Sequence, residues 1–555
     1  MTVSVLLFAA LFSCGAFAAD APKVKMEPVK ATPVAADLEV GKKLYQRWCT
    51  QCHGDEGKGD GPAAEFVYPR PRDFTLAMFK VRKTPSGQLP TDHDLFNIIS
   101  EGLPGTSMPA WKKFIPENDR WQLAHYVKTF DSLGLFKEEP AKEQVVIDTP
   151  PKMTPELVAK GKELYQQKKC WQCHGPGGRG DGPSASGMKD EWGFPIRPVN
   201  FTKSWRFRAG DRLEDIYRTF TTGFNGTPMP SFVDAILAAE DRWALAAFVK
   251  SLSRPQKTGQ VLKAGFIGGE IPADAYAKAW EDAEFTDFPL AGQIIQEPRC
   301  FKPVHDVVTA RALYNDREIA ILLEWDDGTH NKGEGGPAAG PPQGGASQHT
   351  EPRSGEPQSP PSAGRGTGGR PMKPVDQVAL QLPAGPLEGS EKPYFIHGDA
   401  KHAVDLWRWN PAQGLSRATA NGAGKEKPAE AGGVVAQGGY KDGQYRVILR
   451  RPLKVPPSAS NESDCVSKGE ADCRRRVVSP GDTAIEPGKF VPIAFQLWDG
   501  DNGEEGMKMS LSTWYYLLPQ PATPLTVYLW PFGLGFLALG GEVWLLRRMR
   551  RKVSS

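Results

Sequence analysis

Charge of one sign is missing from this chain. Its 68 Lys and Arg are matched by 65 Asp and Glu over 555 residues, which excludes the strongly basic face of an electrostatic nucleic-acid binder. Cysteine is scarce: eight residues are too few for a disulfide scaffold, so each must be placed individually. Nine histidines leave few spare for catalysis, and no Ser/His/Asp set, phosphate loop or paired-carboxylate signature stands out. Hydrophobic residues at 39% against 24% charged fit a soluble globular chain rather than a polytopic membrane protein. Glycine and proline are plentiful, 59 and 50 residues, and imply long irregular segments. The length is too great for one core and implies about three or four domains.

A repeat organises the first half. Gln51-Cys-His-Gly-Asp-Glu-Gly-Lys-Gly-Asp-Gly-Pro62 recurs as Gln172-Cys-His-Gly-Pro-Gly-Gly-Arg-Gly-Asp-Gly-Pro183. Gly105-Thr-Ser-Met-Pro109 recurs as Gly226-Thr-Pro-Met-Pro230, and the step from His53 to His174 equals that from Met108 to Met229. Asp119-Arg-Trp likewise returns as Asp241-Arg-Trp. Two homologous domains are therefore predicted in tandem, at 36–135 and 154–255.

Each copy holds Cys-x-x-Cys-His: Cys49, Cys52 and His53, then Cys170, Cys173 and His174. This is the attachment signature of covalent haem c. Two thiols add across the two vinyl groups, and the adjacent histidine sits beneath the iron. A zinc site would want a second thiol or histidine pair nearby, which each copy lacks. Met108 and Met229 follow their histidines at the same spacing, and each precedes a proline. A methionine is ordinarily core packing, but recurrence at one offset marks both as the opposite axial ligands. Met78 and Met188 have no counterpart and read as packing or surface. His/Met ligation raises the potential relative to bis-His.

These stretches resemble class I cytochromes c from end to end. The Gly41-x-x-Leu44-Tyr45 and Asp119-Arg-Trp segments match that family's crossed first and last helices, and Gly161, Leu164 and Tyr165 correspond in the second copy. There one extra residue stands before the first cysteine.

The two ends bear on the compartment. Residues 1–19 carry a short apolar run and Ala16-Phe-Ala18-Ala19, the pattern of a secretory signal peptide. Leu525–Leu546 carries the single charge Glu542. It reaches the length of about 20 apolar residues that a transmembrane helix needs. Arg547-Arg-Met-Arg-Arg-Lys552 follows, so 547–555 is expected as a basic cytoplasmic tail. The expectation is an extracytoplasmic (periplasmic) body on the cytoplasmic membrane, single-pass, with the lipid bilayer as a partner.

From Val261 onward the pattern becomes β-type, with short alternating or apolar runs at Asp306–Tyr314, Glu318–Trp325, Val375–Leu382, Tyr445–Arg450 and Phe490–Trp498. A β-sandwich or barrel is predicted, with a disordered insertion at 331–371. Cys465 and Cys473 close a short loop and would pair in an oxidising compartment; Cys300 is left over. Residues 261–520 resemble the haem b-binding γ subunit of ethylbenzene dehydrogenase and its relatives. The matching residues include Arg311-Ala-Leu-Tyr314, Leu323-Glu-Trp-Asp-Asp327, Pro393-Tyr-Phe-Ile-His-Gly-Asp399, Leu406-Trp-Arg-Trp409, Ala494-Phe-Gln-Leu-Trp-Asp-Gly500 and Lys508-Met-Ser-Leu-Ser-Thr-Trp514. Relatives ligate haem b with a Met and a Lys; the Lys maps to Lys508, and the Met position is occupied by His397. His402, Met372 and Met507 are alternatives. His93, His125, His305, His330 and His349 have no partner at metal spacing.

The expected fold class is thus multidomain: two all-α cytochrome c domains, a mainly-β sandwich haem b domain and one C-terminal transmembrane helix. The resemblance implies two haem c and one non-covalent haem b, with no catalytic residue. It also implies an electron-transfer subunit that docks on a catalytic molybdenum subunit and an iron–sulfur subunit of the dimethyl sulfoxide reductase family (nitrite/nitrate or chlorate/selenate type). Electrons would pass to or from a soluble cytochrome or terminal oxidase; nucleic acid is not a partner. The alternatives are a self-contained haem dehydrogenase or peroxidase, which needs an open iron, and a ligand-sensing dihaem cytochrome whose β domain lacks haem.

Overall fold

The computed structural model describes residues 24–233, 238–333, 374–453, 484–521 and 535–546. The chain divides into two compact units, Met1–Gln256 and Lys257–Ser555.

The first unit contains two helical copies. The first copy runs α1 (Leu38–Trp48), α2 (Thr50–His53), α3 (Asp92–Glu101), α4 (Glu117–Val127) and α5 (Leu135–Glu138); the second runs α6 (Pro155–Gln167), α7 (Trp171–His174), α8 (Leu213–Thr222) and α9 (Ala239–Leu252). Local chemistry sets the helix starts. Asp37 accepts from Val40 N before α1, Thr91 and Asp94 form a capping box on α3, and Thr154 caps α6 with Pro155 at its first position. The unit is not all-α: β1 (Met26–Pro28) pairs antiparallel with β2 (Glu143–Val145).

α1 crosses α4 and, in the second copy, α6 crosses α9, and a glycine makes each crossing close. A Cβ on Gly41 would stand 2.5 Å from Gln122 O, and one on Gly161 would overlap Ala244 O. The cores gather beside these crossings, with Tyr45, Leu95, Ile99, Leu123 and Val127 in one copy and Tyr165, Phe220, Trp243, Leu245 and Phe248 in the other. The extra residue of the second copy is absorbed at Lys169, which takes φ +58°. Cys170 N then reaches back to Tyr165 O, one residue further than the ordinary helical bond that Cys49 N makes to Tyr45 O.

The second unit is sheet-rich. Its strands are β3 (Val261–Phe266), β4 (Phe285–Pro289), β5 (Ala291–Gly292), β6 (Val307–Tyr314), β7 (Glu318–Asp326), β8 (Gln377–Pro383), β9 (Val404–Asn410), β10 (Gly414–Ala420), β11 (Glu426–Ala429), β12 (Val435–Lys441), β13 (Gln444–Pro452), β14 (Val491–Trp498), β15 (Ser510–Leu511) and β16 (Tyr515–Pro519), with a short helix α10 (Lys278–Asp282). Hydrogen bonding runs β11-β10-β9-β8-β14-β16-β3-β6-β7-β13-β12. Along β14 the partner changes: Val491–Ile493 pair with β16, and Ala494–Trp498 with β8. A strand that switches sheets forms a corner of a sandwich. The main core, including Trp325, Leu380, Trp407, Tyr445 and Phe495, draws on strands from both sides of that corner.

The expected membrane-spanning helix is overturned. Among the described residues no helix is long and apolar enough to cross a membrane. The described part of that segment is a helix over 535–546, and at 1.5 Å per residue it spans about 18 Å against a hydrocarbon core of about 30 Å. The single-pass anchoring at the extracytoplasmic face with a cytoplasmic C-terminus rested on that helix and falls with it. The signal-peptide segment 1–19, the remainder 525–534, the tail 547–555, the loop holding Cys465 and Cys473, and 334–371 of the expected insertion lie outside the described residues.

Candidate cofactor sites

Both copies build the same histidine cradle. In the first, His53 Nδ1 lies 3.0 Å from Arg72 O, and its ring stacks on Phe74 at 4.5 Å. In the second, His174 Nδ1 lies 3.2 Å from Val199 O, and its ring stacks on Phe201 at 4.2 Å. A carbonyl accepting from Nδ1–H fixes the tautomer and leaves Nε2 as a lone-pair donor, the arrangement of a metal-ligating imidazole. Burial pushes His174 down to about 4 and lowers His53 as well, so both rings are neutral near pH 7.

Tyrosines pin the turn that follows each attachment motif. Tyr45 Oη donates to Gly54 O at 2.7 Å, and Tyr165 Oη to Gly175 O at 2.6 Å. The four motif cysteines are unpaired thiols. Burial pushes the Cys49 thiol up to about 12 and the Cys170 thiol up to about 11.

The methionine loops are also alike in their bonding. Met108 N donates to Thr106 Oγ1, whose hydroxyl donates to Leu103 O. Met229 N donates to Thr227 Oγ1, whose hydroxyl donates to Phe224 O. The repeated Gly-Thr-x-Met-Pro sequence is therefore a turn that aims the methionine. Cys49, Cys52, His53 and Met108, together with Cys170, Cys173, His174 and Met229, all line one cavity of about 500 Å³ that runs through both copies. Met188, which the sequence marks as packing or surface, lines it too.

The copies meet around this cavity. Arg82 is buried and donates to Thr222 O at 2.8 Å, Lys80 pairs with Asp190 at 3.4 Å, and the Arg72 guanidinium lies 4.1 Å over the Trp192 ring. Arg70, Arg72, Lys80, Arg197 and Arg208 line the cavity wall. Desolvation lowers Arg72 to about 10 and Lys80 to about 8, and it lowers Arg208 as well. Such a cluster of cations suits a ligand that carries carboxylates.

Sequence reasoning missed both this wall and the histidine cradle, yet a signal was present. Arg70-Pro-Arg-Asp-Phe74 recurs as Arg197-Pro-Val-Asn-Phe201. Its third residue offers the carbonyl to the histidine, and its phenylalanine supplies the stack. Its Asp73 or Asn200 ties the next turn by accepting from Thr75 or Thr202.

Measured against haem c, these residues fit: paired thiols, a neutral oriented imidazole, a methionine loop and a cationic wall share one apolar cavity. The axial pair expected for haem b does not fit. His397 is buried at φ +57°, with Nε2 3.2 Å from Gln496 Oε1 and Nδ1 3.1 Å from Glu426 Oε1. Lys508 Nζ is turned to the carbonyls of Asn502 and Gly503, at 2.9 and 3.1 Å. Both groups are thus engaged with other partners. His402 faces Glu391 and Asp399, Met507 packs beside Ile396 and Trp498, and Met372 lies outside the described residues.

Residues 158–253 match the family described as Cytochrome c, 36–127 match Cytochrome C oxidase, cbb3-type, subunit III, and 277–434 match Ethylbenzene dehydrogenase. Over 250 residues the chain is 18% identical to the respiratory nitrate reductase heme subunit ORF7 of Haloferax mediterranei, covering 45% of this chain and 69% of that one. It is 29% identical over 102 residues to Cytochrome c55X of Paracoccus denitrificans, covering 18% of this chain and 82% of that one. Among solved structures, a chain of the Kuenenia stuttgartiensis reducing HAO-like protein complex Kustc0457/Kustc0458 is 42% identical, covering 41% of this chain and all of that one, at a TM-score of 0.38.

Proposed function

We propose that this chain, in which two cytochrome c domains precede an ethylbenzene dehydrogenase γ-type domain, is the haem-bearing electron-transfer subunit of a molybdoenzyme complex of the nitrate reductase kind. It is read as a relay, with substrate chemistry on a partner. The observation that carries this is the duplicated cradle, in which His53 and Met108, and again His174 and Met229, line the same cavity as their cysteine pairs.

Cys49, Cys52, Cys170 and Cys173 would hold two haem c covalently. Haem c, when bound, supplies an iron that gains and loses one electron. The residues of this chain do the rest. Arg72 O and Val199 O orient the imidazoles and the threonine turns hold the methionines, so His53 with Met108 and His174 with Met229 would hold the two irons. The apolar lining excludes water, which limits reorganisation on electron transfer. Arg72, Lys80 and Arg208 would receive propionates. Their positive charge would disfavour the oxidised, more cationic state and raise the potential.

The kinship of residues 277–434 suggests a haem b and, with the nitrate reductase relative, a molybdenum subunit and an iron–sulfur subunit as docking partners. His397 and Lys508 do not fit as its axial pair, so no step is assigned to it.

Carbon monoxide added to the reduced holoprotein tests the relay. The expected result is two haem c per chain by pyridine haemochrome and no spectral change with carbon monoxide. Binding at either covalent haem, or turnover of a small molecule by the isolated chain, overturns it. Co-purification with a molybdopterin subunit tests the assignment of the complex separately.

A further inference from the structure

Away from the haem cavity, three strand ends of the sheet-rich unit bring His305, Asp327 and Asp499 together. His305 stands just before β6, Asp327 just after β7, and Asp499 just after β14. One ligand atom from each lies within 4.8 Å of the others, and all three residues are about 2% exposed. His305 Nε2 and Asp327 Oδ2 are 3.5 Å apart, longer than a good hydrogen bond. Neither atom has a hydrogen-bond partner. Two polar atoms, more than nine-tenths buried, are thus aimed at one point without being satisfied there.

The same carboxylates are held firmly from behind. Asp327 Oδ1 accepts from Thr329 N at 2.9 Å and from Thr329 Oγ1 at 3.1 Å; Asp499 Oδ1 accepts from Asn502 N at 2.9 Å. Around them Asp376 is fully buried and accepts from Asn331 N, Gly500 N and Tyr445 Oη, and Glu504 is fully buried and accepts from Asp499 N and Asn502 Nδ2. Buried polar atoms left without partners are costly. A divalent cation placed between His305 Nε2 and Asp327 Oδ2 would satisfy both.

We propose that His305, Asp327 and Asp499 form a binding site for a divalent transition-metal ion, zinc foremost. One imidazole nitrogen with two carboxylate oxygens selects a borderline cation over calcium or magnesium, which prefer all-oxygen shells. Binding displaces any proton from His305 Nε2 and forms three metal–ligand bonds, with no redox change. The ion would staple β14 to the β6–β7 edge, joining segments that lie far apart in the chain, at Asp327 and Asp499. This reading is independent of the haem relay.

The test uses the full holoprotein. After exposure to zinc and dialysis, elemental analysis is compared with haem content from pyridine haemochrome. About one zinc per chain beyond the haem iron is expected. His305→Gln and Asp327→Asn, both close in shape to the native side chains, should retain at least about tenfold less zinc. Thr329→Val, which removes a bond from behind Asp327, should weaken retention by about 10–100-fold. Covalent haem spectra should be unchanged in all three. Cobalt substitution of the wild type gives a second readout that needs no variant: d–d absorption bands that zinc abolishes. Absence of zinc and of cobalt bands in the wild type overturns the site, as does full zinc retention by a folded His305→Gln/Asp327→Asn double variant.

Discussion

The two cytochrome c copies reach one geometry through different neighbours. Arg72 and Val199 occupy equivalent positions and offer the same carbonyl to a histidine. Only Arg72 adds a half-buried guanidinium, which lies over Trp192 of the other copy. The helix crossings differ in the same way. The second is tighter, because a Cβ on Gly161 would overlap a backbone oxygen that a Cβ on Gly41 would approach at 2.5 Å. The backbone pattern around the histidine and methionine is therefore what the repeat preserves. Side-chain charge and crossing distance vary between the copies, and this gives the two sites scope for unequal stability and potential.

The largest asymmetry expected is at those crossings. Gly161→Ala should destabilise the second copy by about 3 kcal/mol or more, since rigid backbone must move. Gly41→Ala should cost less, because its nearest backbone atom, Gln122 O at 2.5 Å, is approached less severely than Ala244 O is in the second copy. Differential scanning calorimetry, with haem stoichiometry as a control, reads this order. Equal losses would remove the difference between the crossings.

Next in size is the loss of an axial side chain. Met108→Ala and Met229→Ala should each open one iron, giving carbon monoxide binding at about half the covalent haem and leaving the other copy untouched. If either variant stays closed to carbon monoxide, another residue completes that site. Met188 is the nearest test for the second copy, because it shares the cavity wall.

The same contrast explains what the amino-acid order made legible. Cys-x-x-Cys-His and Gly-Thr-x-Met-Pro are contiguous and duplicated at one offset, so their roles can be read without a fold. The Arg-Pro-x-Asp/Asn-Phe motif is also duplicated, but the step from Phe74 to Phe201 is longer than that from His53 to His174. The drift, from a longer loop in the second copy, hides it. In the sheet-rich unit the trio at His305 is assembled by strand ends distant in sequence, so spacing along the chain leaves His305 partnerless. The only trace is that Asp327 and Asp499 each stand directly before a glycine and shortly behind a tryptophan, at Trp325–Gly328 and Trp498–Gly500. Apolar length misleads at the C-terminus, where hydropathy reads as a span and the described helix is too short. At His397 the resemblance supplies a ligand, whereas the local packing gives that ring Gln496 and Glu426.

A smaller effect separates the copies electrostatically. Arg72→Ala removes a half-buried positive charge from the shared wall and should lower a haem midpoint potential by roughly 60 mV, equivalent to about 1.4 kcal/mol for one electron. Val199→Arg, the reciprocal change, should move the second site in the opposite direction. Spectroelectrochemical titration resolves the two potentials, and no shift in either variant would mean that the wall charge is screened.

The smallest difference concerns the tyrosines that hold the turns after the attachment motifs. Tyr45 and Tyr165 are equally buried and donate to equivalent carbonyls, at 2.7 and 2.6 Å. Removing either hydroxyl leaves a buried carbonyl short of a donor, which costs about 1–2 kcal/mol. Tyr45→Phe and Tyr165→Phe should therefore lower stability by similar amounts, measured as a shift in denaturant midpoint with unchanged slope. Their neighbours differ, since Tyr45 packs against both Tyr126 and Phe130 whereas Tyr165 packs against Phe201 and Phe248. Equal losses would assign the effect to the hydrogen bond alone. Unequal losses would show that the aromatic surroundings reset its strength, carrying the divergence of the copies into the turn that presents the histidine.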